Sequence, residues 1–221
     1  MKILQLSNVS KTYGTDSHSV TVLKKINLEI KKGDFIALMG PSGSGKSTLM
    51  HIAGCLDVPT SGKVIFENKD VSKLSEGELA QIRNKKIGFV FQSFNLIPRT
   101  TALDNVQLPL IYAGVDIEER QERSKKALEL LGLKERITHF PNQLSGGEQQ
   151  RTAIARALVN KPSIILADEP TGNLDSKTGK EIIEVFKKLN RNGNTIVLVT
   201  HDEKIAQIAK KIIKIYDGEI V

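Results

Sequence analysis

Residues Gly40 to Ser47 read Gly-Pro-Ser-Gly-Ser-Gly-Lys-Ser and follow directly on the apolar run Phe35-Ile36-Ala37-Leu38-Met39. A buried strand opening into a glycine-rich loop and then a helix serves few purposes. Glycines let successive backbone N–H groups curl around an anion with no Cβ in the way. A lysine placed like Lys46 reaches the outer phosphates, and a hydroxyl placed like Ser47 holds magnesium. Gly40, Pro41, Ser42, Gly43, Ser44, Gly45, Lys46, Ser47 and Thr48 are therefore candidate contacts to a nucleoside triphosphate, with Ser47 on the metal.

Three more apolar runs end in polar residues. Ile87-Gly88-Phe89-Val90-Phe91 leads into Gln92, Ile164-Ile165-Leu166-Ala167 into Asp168-Glu169, and Ile196-Val197-Leu198-Val199-Thr200 into His201. Near-continuous apolar strands imply a parallel sheet buried on both faces. Ligands of open α/β sheets collect at the carboxyl ends of the strands, so the four polar sites should converge on one crevice. Asp168 is expected in the metal shell and Glu169 as the base that polarises the attacking water. His201 is a candidate γ-phosphate contact, and Gln92 a candidate ligand to water and magnesium. Tyr13 can either stack on a base or cover the core; its residue type leaves both open.

Short β-like pieces at 3–9, 20–30 and 63–66, with turn signals at Lys32-Gly33 and Ser61-Gly62, suggest an antiparallel sheet beside this core. Between Gln92 and Pro162 the periodicity becomes helical, as in 117–131, and about 95–159 is expected to be a helical insertion. Within it Leu144-Ser145-Gly146-Gly147-Glu148 opens a helical stretch over 149–159. Ser145 suits the N-cap, and the bare N–H groups of Gly146 and Gly147 make a second anion site. Two anion sites and one crevice per chain point to a two-fold, head-to-tail dimer. The Ser145 loop of one subunit would close on the γ-phosphate held by Lys46 of the other, so that two nucleotides are sandwiched.

The 221 residues suffice for one good-sized domain. No apolar run approaches the roughly 18 residues that span a bilayer, and the N-terminus lacks a signal-peptide pattern, which places the chain in the cytoplasm. The single cysteine, Cys55, excludes an internal disulfide and reads as a small core residue. Thirty-two basic against 25 acidic residues leave a formal charge of +7. With no interleaved basic and aromatic stripe, nucleic acid is the weakest explanation of that charge.

These motifs together resemble the ATP-binding subunit of ATP-binding cassette (ABC) transporters over essentially the whole chain. By that resemblance Gly40–Ser47 is the Walker A loop, Tyr13 the base-stacking aromatic, Gln92 the Q-loop and Leu144–Glu148 the signature. Ile164–Asp168 is similar to Walker B, Glu169 to the catalytic base and His201 to the switch histidine; Asn173-Leu174-Asp175 is similar to the D-loop, which brings Asp175 to the nucleotide. The resemblance implies an α/β fold, a P-loop NTPase (RecA-like) core with a mostly parallel sheet, an N-terminal antiparallel β subdomain and the helical insertion. It implies ATP and Mg2+ as cofactors and an ATP-dependent dimer. It also implies an integral membrane permease that docks on the helical insertion and holds the chain at the inner face of the cell membrane. Gly54-Cys55-Leu56-Asp57, the segment 91–98 and the segment 167–175 are similar to the class of macrolide-export, lipoprotein-release and antimicrobial-peptide efflux ATPases, which implies export or extraction of an amphipathic cargo. A force-transmitting ATPase of cell division shares these motifs. Soluble ABC ATPases of DNA or ribosomes carry long coiled-coil insertions or tandem cassettes, and neither pattern is present.

Overall fold

The computed structural model describes residues 1–14 and 19–221. In chain order the elements are β1 (Lys2–Tyr13), β2 (Val20–Lys31), β3 (Phe35–Met39), α1 (Lys46–Ala53), β4 (Ser61–Phe66), β5 (Lys69–Asp70), α2 (Glu76–Lys86), β6 (Ile87–Val90), α3 (Ala102–Tyr112), α4 (Ile117–Leu130), α5 (Gly146–Leu158), β7 (Ile164–Asp168), α6 (Ser176–Arg191), β8 (Ile196–Val199), α7 (Glu203–Ala206), β9 (Lys211–Tyr216) and β10 (Glu219–Ile220). One sheet is antiparallel with order β2-β1-β4-β5; the other runs β10-β9-β3-β8-β7-β6. In the second, β9, β3, β8, β7 and β6 pair in parallel, and β10 returns antiparallel on β9.

The apolar strands are explained by two cores. Ile164, Leu166, Val197 and Val199 face the antiparallel sheet and α1, packing with Leu4, Leu6, Leu49 and Met50. Their alternates Ile165, Ala167, Ile196 and Leu198 face the helices, packing with Val106, Leu110, Ile154 and Phe186. A strand that buries both faces has no polar side to show, and each fully buried aliphatic or aromatic side chain contributes about 1.5–3 kcal/mol. Cys55 is buried and free, as expected.

Helix starts are written locally. Ser75, Thr101 and Ser145 each accept from the N–H of the third helical residue, while Glu78, Asp104 and Glu148 reach back to the cap, and Asp116 and Asp175 cap α4 and α6. With Ser145 as cap, α5 begins at Gly146, ahead of the stretch expected from Gln149.

Three expectations change. Ser61-Gly62 is not a turn but lies inside β4, where the register with β1 shifts between Ser7 and Ser10. Gly62 has φ 92°, and a Cβ there would lie 2.4 Å from the Asn8 carbonyl oxygen, so the glycine serves a bulge. The strand before Gln92 ends at Val90, leaving Phe91 in the loop. Finally, β9 is a further parallel strand beside β3; Lys211 at its start and Lys214 on its exposed face interrupt the apolar residues and hid it from a search for continuous apolar runs. Asp217-Gly218, with φ 46° and 81°, makes the tight turn between β9 and β10.

Candidate nucleotide site

Register brings the predicted polar residues to one edge of the parallel sheet. Leu38 pairs with Val199, Val199 with Asp168, and Ala167 with Val90. One or two residues beyond that line the chain reaches Gly40, His201, Glu169 and Gln92, so the strand ends form a row.

At the first strand end, a Cβ on Gly40 would fall 2.1 Å from the Ile215 carbonyl oxygen, so only glycine lets the loop leave β3 here. Gly45 precedes α1 at φ 103° and offers no side-chain cap, which leaves the first N–H groups of α1 bare. Lys46 is buried and donates to the carbonyls of Gly40 at 2.9 Å and Pro41 at 2.8 Å. Ser44 Oγ is buried without a partner. Bare amides, a buried ammonium and an orphan hydroxyl suit a polyphosphate.

Asp168 ends β7, and burial pushes its carboxyl up. The Glu169 charge adds to this, while His51 and Lys46 oppose it. A cation beside Ser47 would offset that cost. Among the described residues no group of three or more His, Cys, Asp or Glu forms a metal site, so a magnesium ion here would take its remaining ligands from phosphate oxygens and water. Glu169 sits at φ 42°, its N–H bonded to the Val199 carbonyl at 2.9 Å. Its Oε1 lies 2.9 Å from His201 Nδ1. Gln92 turns to the segment after Glu169: its Nε2 donates to Asn173 Oδ1 at 3.2 Å, and Asn173 Nδ2 donates to the Gln92 carbonyl at 3.1 Å. Gly172 makes room for that side chain.

Tyr13 is not a core residue. The residue is 41% exposed, and its hydroxyl donates to Asp57 Oδ2 at 2.6 Å. Lys11 Nζ lies 4.7 Å from the ring centroid and bonds Asp57 Oδ1 at 2.6 Å. Burial and the Asp57 carboxylate raise the phenol pKa, so the ring stays neutral. Lys11 and Asp57 escape a reading of the sequence because the three residues meet only when β1 lies against the segment that leads into β4.

The Ser145–Glu148 segment stands apart. None of its hydrogen bonds or ion pairs reaches Lys46, Asp168, Glu169 or His201. Ser145 N–H and Oγ donate to Glu148 Oε2 at 2.8 and 2.9 Å, and Arg136 Nε donates to Glu148 Oε1 at 2.8 Å. Arg136, then the Ser145 amide, hold the Glu148 carboxyl down at about 2. Gly146 lies against Leu174 and Gly147 against Thr178. Asp175 caps α6 through Lys177 and Thr178 N–H, both at 3.0 Å, and the Thr178 side chain, then these amides, lowers its pKa. Arg136 is a second partner that sequence reading missed, because it lies in a 3-10 turn with no motif.

Fold and site together define a phosphate-loop nucleotide-binding protein. Within that class the chain belongs to the ABC transporter family, whose model matches residues 23–172. An uncharacterised ABC transporter ATP-binding protein of Thermotoga maritima is 56% identical over 219 residues, covering 99% of this chain and 94% of its own. A macrolide export ATP-binding/permease protein, MacB, of Syntrophobacter fumaroxidans is 52% identical over all of this chain, which spans 31% of that protein. The structure of the ATP-binding cassette MJ0796 of Methanocaldococcus jannaschii, a dimer in a post-hydrolysis state bound to ADP and Pi, superposes with a TM-score of 0.89 at 52% identity, covering 99% of this chain and 96% of that one.

Proposed function

We propose that the chain is the ATP-hydrolysing subunit of an ABC transporter, closing head to tail as a dimer around two ATP molecules. It would drive a separate membrane permease that exports or extracts an amphipathic molecule such as a peptide, a lipoprotein or a macrolide-like drug. The observation that carries the ATPase reading is the Glu169–His201 pair, 2.9 Å apart at the strand ends next to the Lys46 loop. Lys46 and the loop amides hold the triphosphate. Glu169 Oε1 takes a proton from water as the water oxygen bonds the γ-phosphorus and the bond to the ADP oxygen breaks, and His201 orients both. Ser47, Asp168 and Gln92 would hold a magnesium ion, which would supply charge neutralisation at the phosphate oxygens.

The dimer reading is supported by the separation of the Ser145 end of α5 from the Lys46 loop within one chain, and by the dimeric state of the MJ0796 cassette. A membrane partner at the cytoplasmic face is supported by the joined ATP-binding and permease functions in the MacB name. Among the described residues no helix is long and apolar enough to cross a membrane. The permease fits the groove of about 680 Å³ beside the Gln92 segment, lined by Phe89, Phe91, Leu108, Pro109 and Tyr112.

Glu169→Gln keeps the shape of the side chain and removes the base. The variant is expected to bind MgATP, to turn over about 10²–10⁴-fold more slowly, and to elute as a dimer when ATP is present. Wild-type turnover in that variant would remove Glu169 from the chemistry.

A further inference from the structure

Helix α5 carries the Ser145 end outward and passes behind both loops that hold the candidate catalytic side chains. Gln150, in its second turn, is fully buried at 0% exposure. Its Nε2 donates to the Phe91 carbonyl at 3.3 Å and to the Pro170 carbonyl at 2.5 Å. Phe91 immediately precedes Gln92, and Pro170 immediately follows Glu169. Both partners are acceptors, so the NH2 group must face them, and Oε1 is left buried with no partner. A leucine or methionine would fill this volume without burying an unpaired oxygen. The amide is therefore poor as filler and effective as a two-pronged tie.

Arg156, six residues along the same helix, holds the far side of the same loop: its guanidinium donates to the carbonyls of Asn95 at 2.5 Å and Phe94 at 2.8 Å. Phe94 and Asn95 have φ 59° and 51°, a conformation L-residues rarely keep without such support. The Gln92 loop is thus gripped by α5 on both sides, and the Glu169 loop is gripped by the same residue that holds its near side.

We propose that Gln150 is a positioning residue for hydrolysis: its amide fixes the Gln92 and Glu169 loops in one register and moves both loops with α5 when the Ser145 end of that helix engages nucleotide. The inference rests on the ATPase reading above. It makes α5 a rigid bar whose outer end senses the partner's phosphate and whose middle sets the catalytic geometry.

The test uses Gln150→Met, which keeps size and flexibility and removes both donors, with MgATP turnover and unfolding temperature measured on the purified full chain. The expected result is a folded protein whose kcat falls about 10- to 100-fold while its KM for ATP stays within about threefold of wild type. In a Gln92→Ala background the same substitution is expected to cost less, because one of the two loops it positions has lost its functional group. An unchanged kcat per folded molecule, or full additivity with Gln92→Ala, would overturn the proposal while leaving the ATPase reading intact. A wild-type chain that fails to hydrolyse MgATP would overturn both. Should Gln150→Met not fold, Gln150→Glu, of the same size, is read by the same criteria; if neither folds, the amide is a structural tie only and the proposal falls.

Discussion

Glu148 places a carboxylate at the N-terminus of α5, which favours the helix dipole and closes the capping box, yet the same end is the candidate site for a partner's phosphate. Arg136 resolves the conflict by pairing with Oε1, so the end presents bare glycine amides without net negative charge. The pairing also fixes a pH dependence. A carboxyl held at about 2 in the folded chain, against roughly 4.3 unfolded, contributes stability that is complete above the unfolded value and lost as pH falls toward 2. Glu148→Gln keeps the capping geometry without the charge. It is expected to be less stable than wild type at pH 7 in urea unfolding, with the difference closing between about pH 4.5 and pH 2. Equal stabilities at pH 7 would show that the ion pair contributes nothing. Glu169 and His201 were legible because each follows closely on an apolar strand, and Lys46 because it ends a glycine-rich loop that follows one. Arg136, Lys11 and Asp57 were not, because each acts through a contact between separate elements that no local spacing records.

At the scale of elements, sequence reading succeeded where local physics is sufficient. The strands β3, β7 and β8 are apolar on both faces, and the cap of α5, Ser145, sits one residue ahead of its helix. It failed where a glycine had two meanings. Gly62 looked like a turn residue, but it lets β4 pass within contact distance of the β1 backbone. Gly114 supplies the contrast, since its φ of 74° is equally left-handed while nothing lies within 4 Å of a Cβ there. Gly114→Ala is expected to cost about 1–2 kcal/mol of unfolding free energy, the ordinary penalty for a left-handed alanine. Gly62→Ala is expected to cost about 2–3 kcal/mol more than that, because the clash is with backbone that cannot rotate away. Equal losses in urea unfolding would return Gly62 to the status of a simple turn residue.

Across the whole molecule, the strand ends gather the candidate nucleotide residues along one edge of the parallel sheet, while α5 links the outlying Ser145 end to the loops behind that edge. What remains open is the groove on the far side of the Gln92 segment, where Phe89 and Phe91 stack with centroids 5.7 Å apart and Tyr112 is 80% exposed. An apolar lining with an aromatic held in water suits a surface that a partner covers. Arg156 forms part of that lining and also bonds the Phe94 and Asn95 carbonyls, so a segment seated in the groove bears directly on the loop carrying Gln92. The fold and the row of candidate nucleotide residues at the strand ends were legible because each motif is contiguous. The groove was not, since its aromatics come from β6, the loop after it and α3, and only folding brings them together. Tyr112→Asp adds a charge at the rim without touching the strand ends. In cells it is expected to move the chain from the membrane fraction to the soluble fraction, while the ATP turnover of the isolated chain stays within about twofold of wild type. Membrane association equal to wild type would place the permease on another face and leave the nucleotide site as derived.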